Sequence, residues 1–310
     1  MKLLLVVNPI SGGVDKEPFL KKAVNFMDFY GIEYRIFKTT GIKDDEHLKE
    51  ALADFRPDRV ASVGGDGTTL FTGIALMGTK IPMGIVPLGS ANGMAVELGV
   101  NEGPMAALRD IILSQHIHGL DMLLVNEKHY SIHIGDVGVN AHIVEAYEKD
   151  PNRGMLTYAK YFLEELKRLK NFKVKVVVNG VAVEENVFMA GFCNARKFGT
   201  GVPLNTISNP MDGEFEIVLL NRLDSAVLIK AGLSKFSESF VDLDYAKVIS
   251  AKQAEVYFEE PQLLQLDGEV IGVYEKLDIR ILKSAVHFIT HRGNPYLKEA
   301  LNKTTVGRTQ

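Results

Sequence analysis

The segment Arg59-Val60-Ala61-Ser62-Val63-Gly64-Gly65-Asp66-Gly67-Thr68 decides how the rest of this chain is read. Arg59 to Val63 read as a short strand leaving a polar turn, and Thr69 to Met77 as the start of a helix. Three glycines in four positions let the backbone approach a ligand closely, with no Cβ in the way. The N-terminus of the following helix offers unpaired N–H groups and a positive dipole end, which together attract phosphate. Asp66 sits inside this anion cradle, where a carboxylate repels phosphate unless a cation lies between them. Mg²⁺ suits that place. The stretch therefore predicts a nucleoside triphosphate site with a metal-organising aspartate. A glycine-rich strand-to-helix turn without any ligand is the alternative reading of this motif taken alone.

On both sides of the motif the first third of the chain alternates strand and helix. Strands are expected at Lys2–Val7, Glu33–Lys38, Val60–Val63 and Pro82–Val86. Helices are expected at Lys16–Tyr30, Glu46–Phe55, about Ala91–Leu98 and Pro104–Leu113. This βαβα order argues for a parallel sheet covered by helices. Two more loops, Asn8-Pro9-Ile10-Ser11-Gly12-Gly13 and Pro87-Leu88-Gly89-Ser90-Ala91-Asn92-Gly93, follow the first and fourth strands. Open α/β sheets bind ligands at the carboxyl ends of their strands. Each loop alone reads as a plain turn. Three on one sheet edge, rich in N–H and hydroxyl donors, point to a site.

The character changes near Leu120. Asp121–Asn126 and Lys128–Ile134 read as a hairpin, and Met155–Lys170 as a helix. Phe172–Val178 and Val181–Ala190 flank Asn179-Gly180, a strong type I′ hairpin signal. Further strands are expected at Glu214–Leu220, Glu255–Phe258, Leu263–Leu266, Glu269–Val273, Lys276–Ile281 and Ala285–Ile289. The expected fold is an α/β N-terminal domain with a parallel sheet, plus a C-terminal, mainly antiparallel β-sandwich domain. The expected boundaries are 1–122 and 123–289, with the 290–310 tail docking back on the first domain.

Composition sets outer limits. The 310 residues suffice for two cores, with 46% hydrophobic and 24% charged residues. A net charge of −4 provides no basic field, so nucleic acid is not an expected partner. The single Cys193 excludes an internal disulfide framework and a Cys-based zinc site. The Leu3–Val7 run is too short for a signal-peptide core, and no stretch approaches 18 apolar residues. A cytoplasmic location with only peripheral membrane contact is expected, and a homodimer is left open.

The order of motifs is specific. Asn-Pro-x-Ser-Gly-Gly at Asn8–Gly13, Gly-Gly-Asp-Gly-Thr at Gly64–Thr68, Pro-Leu-Gly-Ser-x-Asn at Pro87–Asn92 and Asp-Gly-Glu at Asp267–Glu269 resemble the diacylglycerol kinase catalytic-domain family. That family includes soluble bacterial lipid kinases and sphingosine kinases, and the resemblance runs from about residue 2 to 290. It implies ATP in a cleft between the two domains, Mg²⁺, and a lipid substrate met at a membrane surface. Asn8, Ser11 and Gly12 would line the nucleotide site. Gly64, Gly65, Gly67 and Thr68 would hold phosphates, with Ser90 and Asn92 facing them and Asp66 organising Mg²⁺ through water. Asp267 would be the general base and Glu269 would assist nucleotide binding. Asp212 would help hold a structural Mg²⁺ together with backbone carbonyls; Arg153 is a candidate phosphate contact, though it reads better as an exposed arginine at a helix start. By its own chemistry Asp267-Gly268 also reads as a plain hairpin turn.

The chain departs from the family at two acids. Gly93 stands where bacterial members have an aspartate, and Asn140 replaces another within Asp136-Val137-Gly138-Val139-Asn140-Ala141, where Asp136 is an extra carboxylate. The expected activity is transfer of the γ-phosphoryl group of ATP to a lipid hydroxyl, a step of lipid metabolism. An NAD kinase and a catalytically weak nucleotide- or lipid-binding regulator are the alternatives. The His129/His133 and His287/His291 pairs lie in strand-like sequence without carboxylate partners, and read as structural. The basic run Lys167, Arg168, Lys170, Lys173 and Lys175 reads as a solvated face or as a contact for anionic headgroups.

Overall fold

The computed structural model describes residues 1–149, 161, 170–198, 204–222, 246–291 and 293–297. It divides into two compact units, Met1–Asp121 with Lys283–Gln310, and Met122–Leu282.

The first unit runs β1 (Lys2–Val7), α1 (Glu17–Phe29), β2 (Glu33–Lys38), α2 (Asp44–Phe55), β3 (Arg59–Gly64), α3 (Asp66–Leu76), β4 (Met83–Pro87), α4 (Gly93–Glu97) and α5 (Pro104–Leu113). All four strands are parallel, in the order β2-β1-β3-β4. β1 is the apolar run Leu3-Leu4-Leu5-Val6-Val7, buried throughout, as a strand covered on both sheet faces must be. α1 turns Phe19, Leu20, Ala23 and Met27 inward, a one-sided stripe of helical period. These residues join Leu3, Leu5, Val7, Leu108 and Ile111 in one core. Each large side chain buried there stabilises the unit by roughly 1.5–3 kcal/mol. Pro18 and Pro104 stand in the first turns of α1 and α5, where a missing N–H costs nothing. The strand order reverses between β1 and β3. The loops leaving these two strands therefore part company there, which opens a crevice at the sheet's carboxyl edge.

The second unit is antiparallel. β5 (His116–Val125) enters it and pairs with β6 (His129–Ser131). β7 (Ile134–Gly138) leads into α6 (Val139–Lys149). Then come β8 (Phe172–Val178), β9 (Val181–Val187), β10 (Met189–Cys193), β11 (Phe215–Leu220), β12 (Ala246–Ala251), β13 (Gln253–Leu266) and β14 (Glu269–Thr290), whose residues from Lys283 on count with the first unit. β12-β11-β10-β7 lie side by side. β13 pairs with β8 through Glu255–Phe258 and with β7 through Leu264–Leu266, with a register break between. One strand thus serves two layers, a corner device of sandwiches. Between the layers lies a core of Val137, Val174, Phe192, Phe215, Val256 and Leu277.

The sequence expectation of a parallel α/β domain followed by an antiparallel sandwich agrees with this architecture. Details differ. The expected strand Val181–Ala190 is broken at Phe188, whose N–H bonds to Leu220 O, leaving β9 and β10. β7 was not expected as a strand, because its two glycines and Asp136 are poor strand formers. The expected helix at Met155–Lys170 and Arg153 fall outside the described residues, Tyr161 and Lys170 apart.

Candidate active site

Three loops of the first unit meet through bare backbone. A Cβ on Gly12 would lie 2.6 Å from the carbonyl carbon of Gly89 and 2.7 Å from Ser90 N. A Cβ on Gly89 would lie 2.7 Å from Gly65 N. Gly12 also has φ +64, a conformation open to glycine at little cost. The glycines therefore let the loops approach one another, a role beyond the ligand approach that the motif suggests.

Side chains complete the fastening. Ser11 Oγ accepts the Gly65 N–H at 3.1 Å. Asn92 closes its own loop: its Oδ1 accepts Gly89 N–H at 2.8 Å and its Nδ2 donates to Gly89 O at 3.1 Å. Asn8 Oδ1 accepts Ile10 N–H in an Asx turn. Asp66 Oδ2 accepts the Gly93 N–H and Oδ1 the Met94 N–H, both at 2.8 Å. The carboxylate thus caps the first turn of α4 from a neighbouring helix. Each oxygen keeps a second acceptor direction. Ser90 is exposed.

Sequence reasoning missed Lys16, Thr40 and Asp44. Lys16 is buried, and its ammonium donates to the carbonyls of Ser11 and Val14, which fixes the first loop from beneath. Burial lowers its pKa, against the pull of Asp15. Asp44 accepts the N–H groups of Thr40 and Gly41 and the Thr40 hydroxyl. Burial works to raise its pKa, but these donors, with His47, outweigh it and hold the carboxyl below its usual range. The only signal in the sequence was Thr40-Gly41 four residues before the start of an acidic helix turn.

Thr40 and Asp44 border a cavity of about 380 Å³, lined also by Asn8, Ile10, Thr68 and Phe71 among others. α3 begins at its edge with Gly65 as N-cap and no capping side chain. Thr68 Oγ1 is buried without a hydrogen-bond partner among the described residues. An uncapped helix start beside a partly apolar cavity fits a nucleoside phosphate.

In the second unit, Asp267 and Gly268 have φ +52 and +88 and join β13 to β14 in a tight hairpin turn. Asp267 is half-buried as a residue, but its carboxylate is enclosed. Oδ1 accepts the Ser131 hydroxyl at 2.6 Å and the N–H groups of His133 and Ile134; Oδ2 accepts Ile132 N–H at 2.8 Å. Burial pushes this carboxyl up, against the pull of the Ser131 hydroxyl, His133 and the surrounding N–H groups. Four donors from the chain itself make Asp267 the anchor of the turn. Glu269, at the start of β14, is exposed. Asp212 is exposed, and its Oδ1 accepts Glu214 N–H in an Asx turn. Among the described residues no three His, Cys, Asp or Glu side chains gather as a metal site.

Comparison with known proteins gives these motifs a context. Residues 2–125 match the diacylglycerol kinase catalytic domain, and residues 134–289 match the YegS C-terminal NAD kinase beta sandwich-like domain. The chain is 23% identical over 276 residues to a diacylglycerol kinase of Bacillus subtilis, covering 87% of this chain and 90% of that protein. It is 28% identical over 205 residues to a Klebsiella pneumoniae protein named "Probable lipid kinase YegS-like", covering 65% and 68%. A crystal structure of a diacylglycerol kinase from Bacillus anthracis superposes with TM-score 0.71 at 19% identity, covering 94% of this chain and 98% of that one, which shows a shared fold. With both domain types matched in order and nearly end to end, the chain belongs to the diacylglycerol kinase catalytic-domain family, in the form that carries a YegS-type C-terminal domain.

Proposed function

We propose that the protein is a lipid kinase that transfers the γ-phosphoryl group of ATP to a lipid hydroxyl. The observation that carries this reading is the uncapped start of α3 on the cavity lined by Asn8, Thr40, Asp44 and Thr68. The N–H groups at Gly67 and Thr68 would receive phosphate oxygens, and the cavity would take the nucleoside. Mg²⁺, when bound, would neutralise charge between the phosphates. Asp66 would hold it through water on the lone pairs not used by Gly93 and Met94. In phosphoryl transfer the protein's work is mostly positioning and charge neutralisation. The glycine contacts among the three loops serve the first of these.

The proton of the lipid hydroxyl needs an acceptor. Asp267 would serve poorly, since its carboxylate is already turned onto Ser131, Ile132, His133 and Ile134. Glu269, exposed two residues on, is the better acceptor, with Asp267 holding the turn that presents it. The lipid is proposed to be met at a membrane surface, since the relatives this chain resembles are named as lipid kinases, whose substrates reside in membranes.

The test is turnover of labelled ATP by the purified protein. Diacylglycerol, monoacylglycerol and sphingosine in anionic mixed micelles would be compared with NAD and with short soluble alcohols. Phosphorylation of a lipid that falls with added salt supports the reading. Phosphorylation of NAD, or of soluble alcohols equally well without micelles, would overturn it.

A further inference from the structure

Asp136 is a buried carboxylate with no part in the chemistry above. It lies on β7, with Gly191 of β10 opposite on one side and Gln265 of β13 on the other. Asp136 and Gln265 are a direct cross-strand pair, so their side chains share one sheet face. The Gln265 side-chain NH₂ donates to Asp136 Oδ2. Asn140, one turn on in α6, donates to the same oxygen at 2.6 Å. Oδ1 is buried with no hydrogen-bond partner among the described residues. The other end of the Gln265 amide reaches the hairpin: its Oε1 accepts the Gly268 N–H at 2.8 Å. A side-chain amide has one donor end and one acceptor end. With the donor end held by Asp136, the acceptor end is committed to the turn.

We propose that Asp136 and Gln265 are positioning residues, setting the backbone at Gly268 and through it the direction of Glu269, and that the charge on Asp136 tunes this setting. The inference rests on Glu269 as the proton acceptor proposed above.

Burial pushes the Asp136 carboxyl up to about 7, while the amides of Asn140 and Gln265 and the Ala141 N–H pull it back. Ionised, Oδ2 accepts more strongly and grips Gln265 harder; protonated, it grips less. Hydrogen bonds in a chain polarise one another, so the change reaches Gly268. The other titratable groups nearby are few. Cys193 on β10 is held well above its usual range, first by burial and then by Glu216, with a smaller contribution from Asp136. Glu216 on β11 is raised by burial. In the turn after β13, Asp267 lies two residues from Gln265, with His133 beside it. α6 presents the neutral Asn140.

Asp136→Asn separates Asp136 from these groups. It keeps an acceptor oxygen for both amides and removes the titration. In ¹H–¹⁵N spectra of the full chain from pH 5.5 to 8.5, the Gly268 amide shift should titrate with a midpoint near 7. It should be flat in Asp136→Asn and in Gln265→Met. In lipid turnover, kcat should change by roughly threefold across the same range, the size that strengthening one bond in a chain yields, with KM for ATP unchanged. This inflection should vanish in both variants. A Gly268 amide that ignores pH, or that still titrates in Asp136→Asn, would overturn the coupling. A titrating amide with a flat kcat profile would overturn the positioning role. Failure to phosphorylate any lipid would instead remove the proposed function, while the amide titration decides the coupling independently.

Discussion

A Cβ added to Gly89 would lie 2.7 Å from the backbone nitrogen of Gly65, and nearer still to its Cα. The third and second loops therefore touch main chain to main chain, and neither side can yield by rotating a side chain. Gly89→Ala should destabilise the first unit by about 1–3 kcal/mol, as overpacking does, and abolish ATP use. Gly13→Ala is the control. Gly13 has φ +63 but nothing within 4 Å of the added methyl, so only the backbone cost of about 1–2 kcal/mol applies. Thermal melting with ATP titration separates the two. Equal melting losses with intact ATP binding in both variants would show that loop contact is not what the glycine provides.

Asp66 has two duties that substitution can divide. Asp66→Ala leaves the N–H groups of Gly93 and Met94 without their acceptor, at a cost of about 1–3 kcal/mol each if they stay dry. Asp66→Asn keeps one acceptor oxygen and should melt closer to the parent. Both should lose Mg²⁺-dependent turnover by several orders of magnitude, because neither offers a carboxylate to the metal's waters. An Asp66→Asn variant with normal turnover would reduce Asp66 to a cap for α4.

The hairpin at Asp267–Glu269 offers a similar division of labour. Glu269→Gln should lower kcat by roughly 10²- to 10⁴-fold, the range for loss of a general base, with melting unchanged. Asp267→Asn replaces one carboxylate oxygen by an NH₂ that faces N–H donors. It should lower the melting temperature as well as kcat. If Asp267→Asn melts normally and loses only kcat, while Glu269→Gln is fully active, the base is Asp267 after all.

Much of this was legible before the fold was known. The apolar run of β1, the stripe on α1 and the Asn179-Gly180 turn announce themselves through periodicity and turn chemistry, which depend on near neighbours in sequence. Glycine motifs mark where the three loops lie. What they do there was not readable, since Gly12 and Gly65 are each explained by Gly89, 77 and 24 positions further along the chain. The same holds for Asp267. Its sequence reads as turn or base, and only the donors at Ser131 to Ile134 decide which lone pairs remain. β7 escaped notice because its glycines and Asp136 are tolerated through pairing with β10 and β13, a tertiary override of weak strand propensity.

Asp136 also makes a prediction about stability that needs no substrate. In the folded chain its carboxyl is pushed from 3.8 up to about 7 by burial. The native state thus holds a proton there that the unfolded state has released, at every pH between those two values. Stability must then fall as pH rises through this window, and this loss levels off above 7, where both states are ionised. Asp136→Asn carries no proton to lose. Relative to the parent, its stability should improve steadily from pH 4 to 7 and hold constant above that, with an upper bound of about 4 kcal/mol from the size of the shift. Urea unfolding at pH 4.5, 6 and 8 reads the difference directly. Losses shared by both proteins, from Glu216 or Asp267, cancel in the comparison. A stability gap between the two that does not vary with pH would mean that Asp136 is ionised throughout, with its charge accommodated by Asn140 and Gln265.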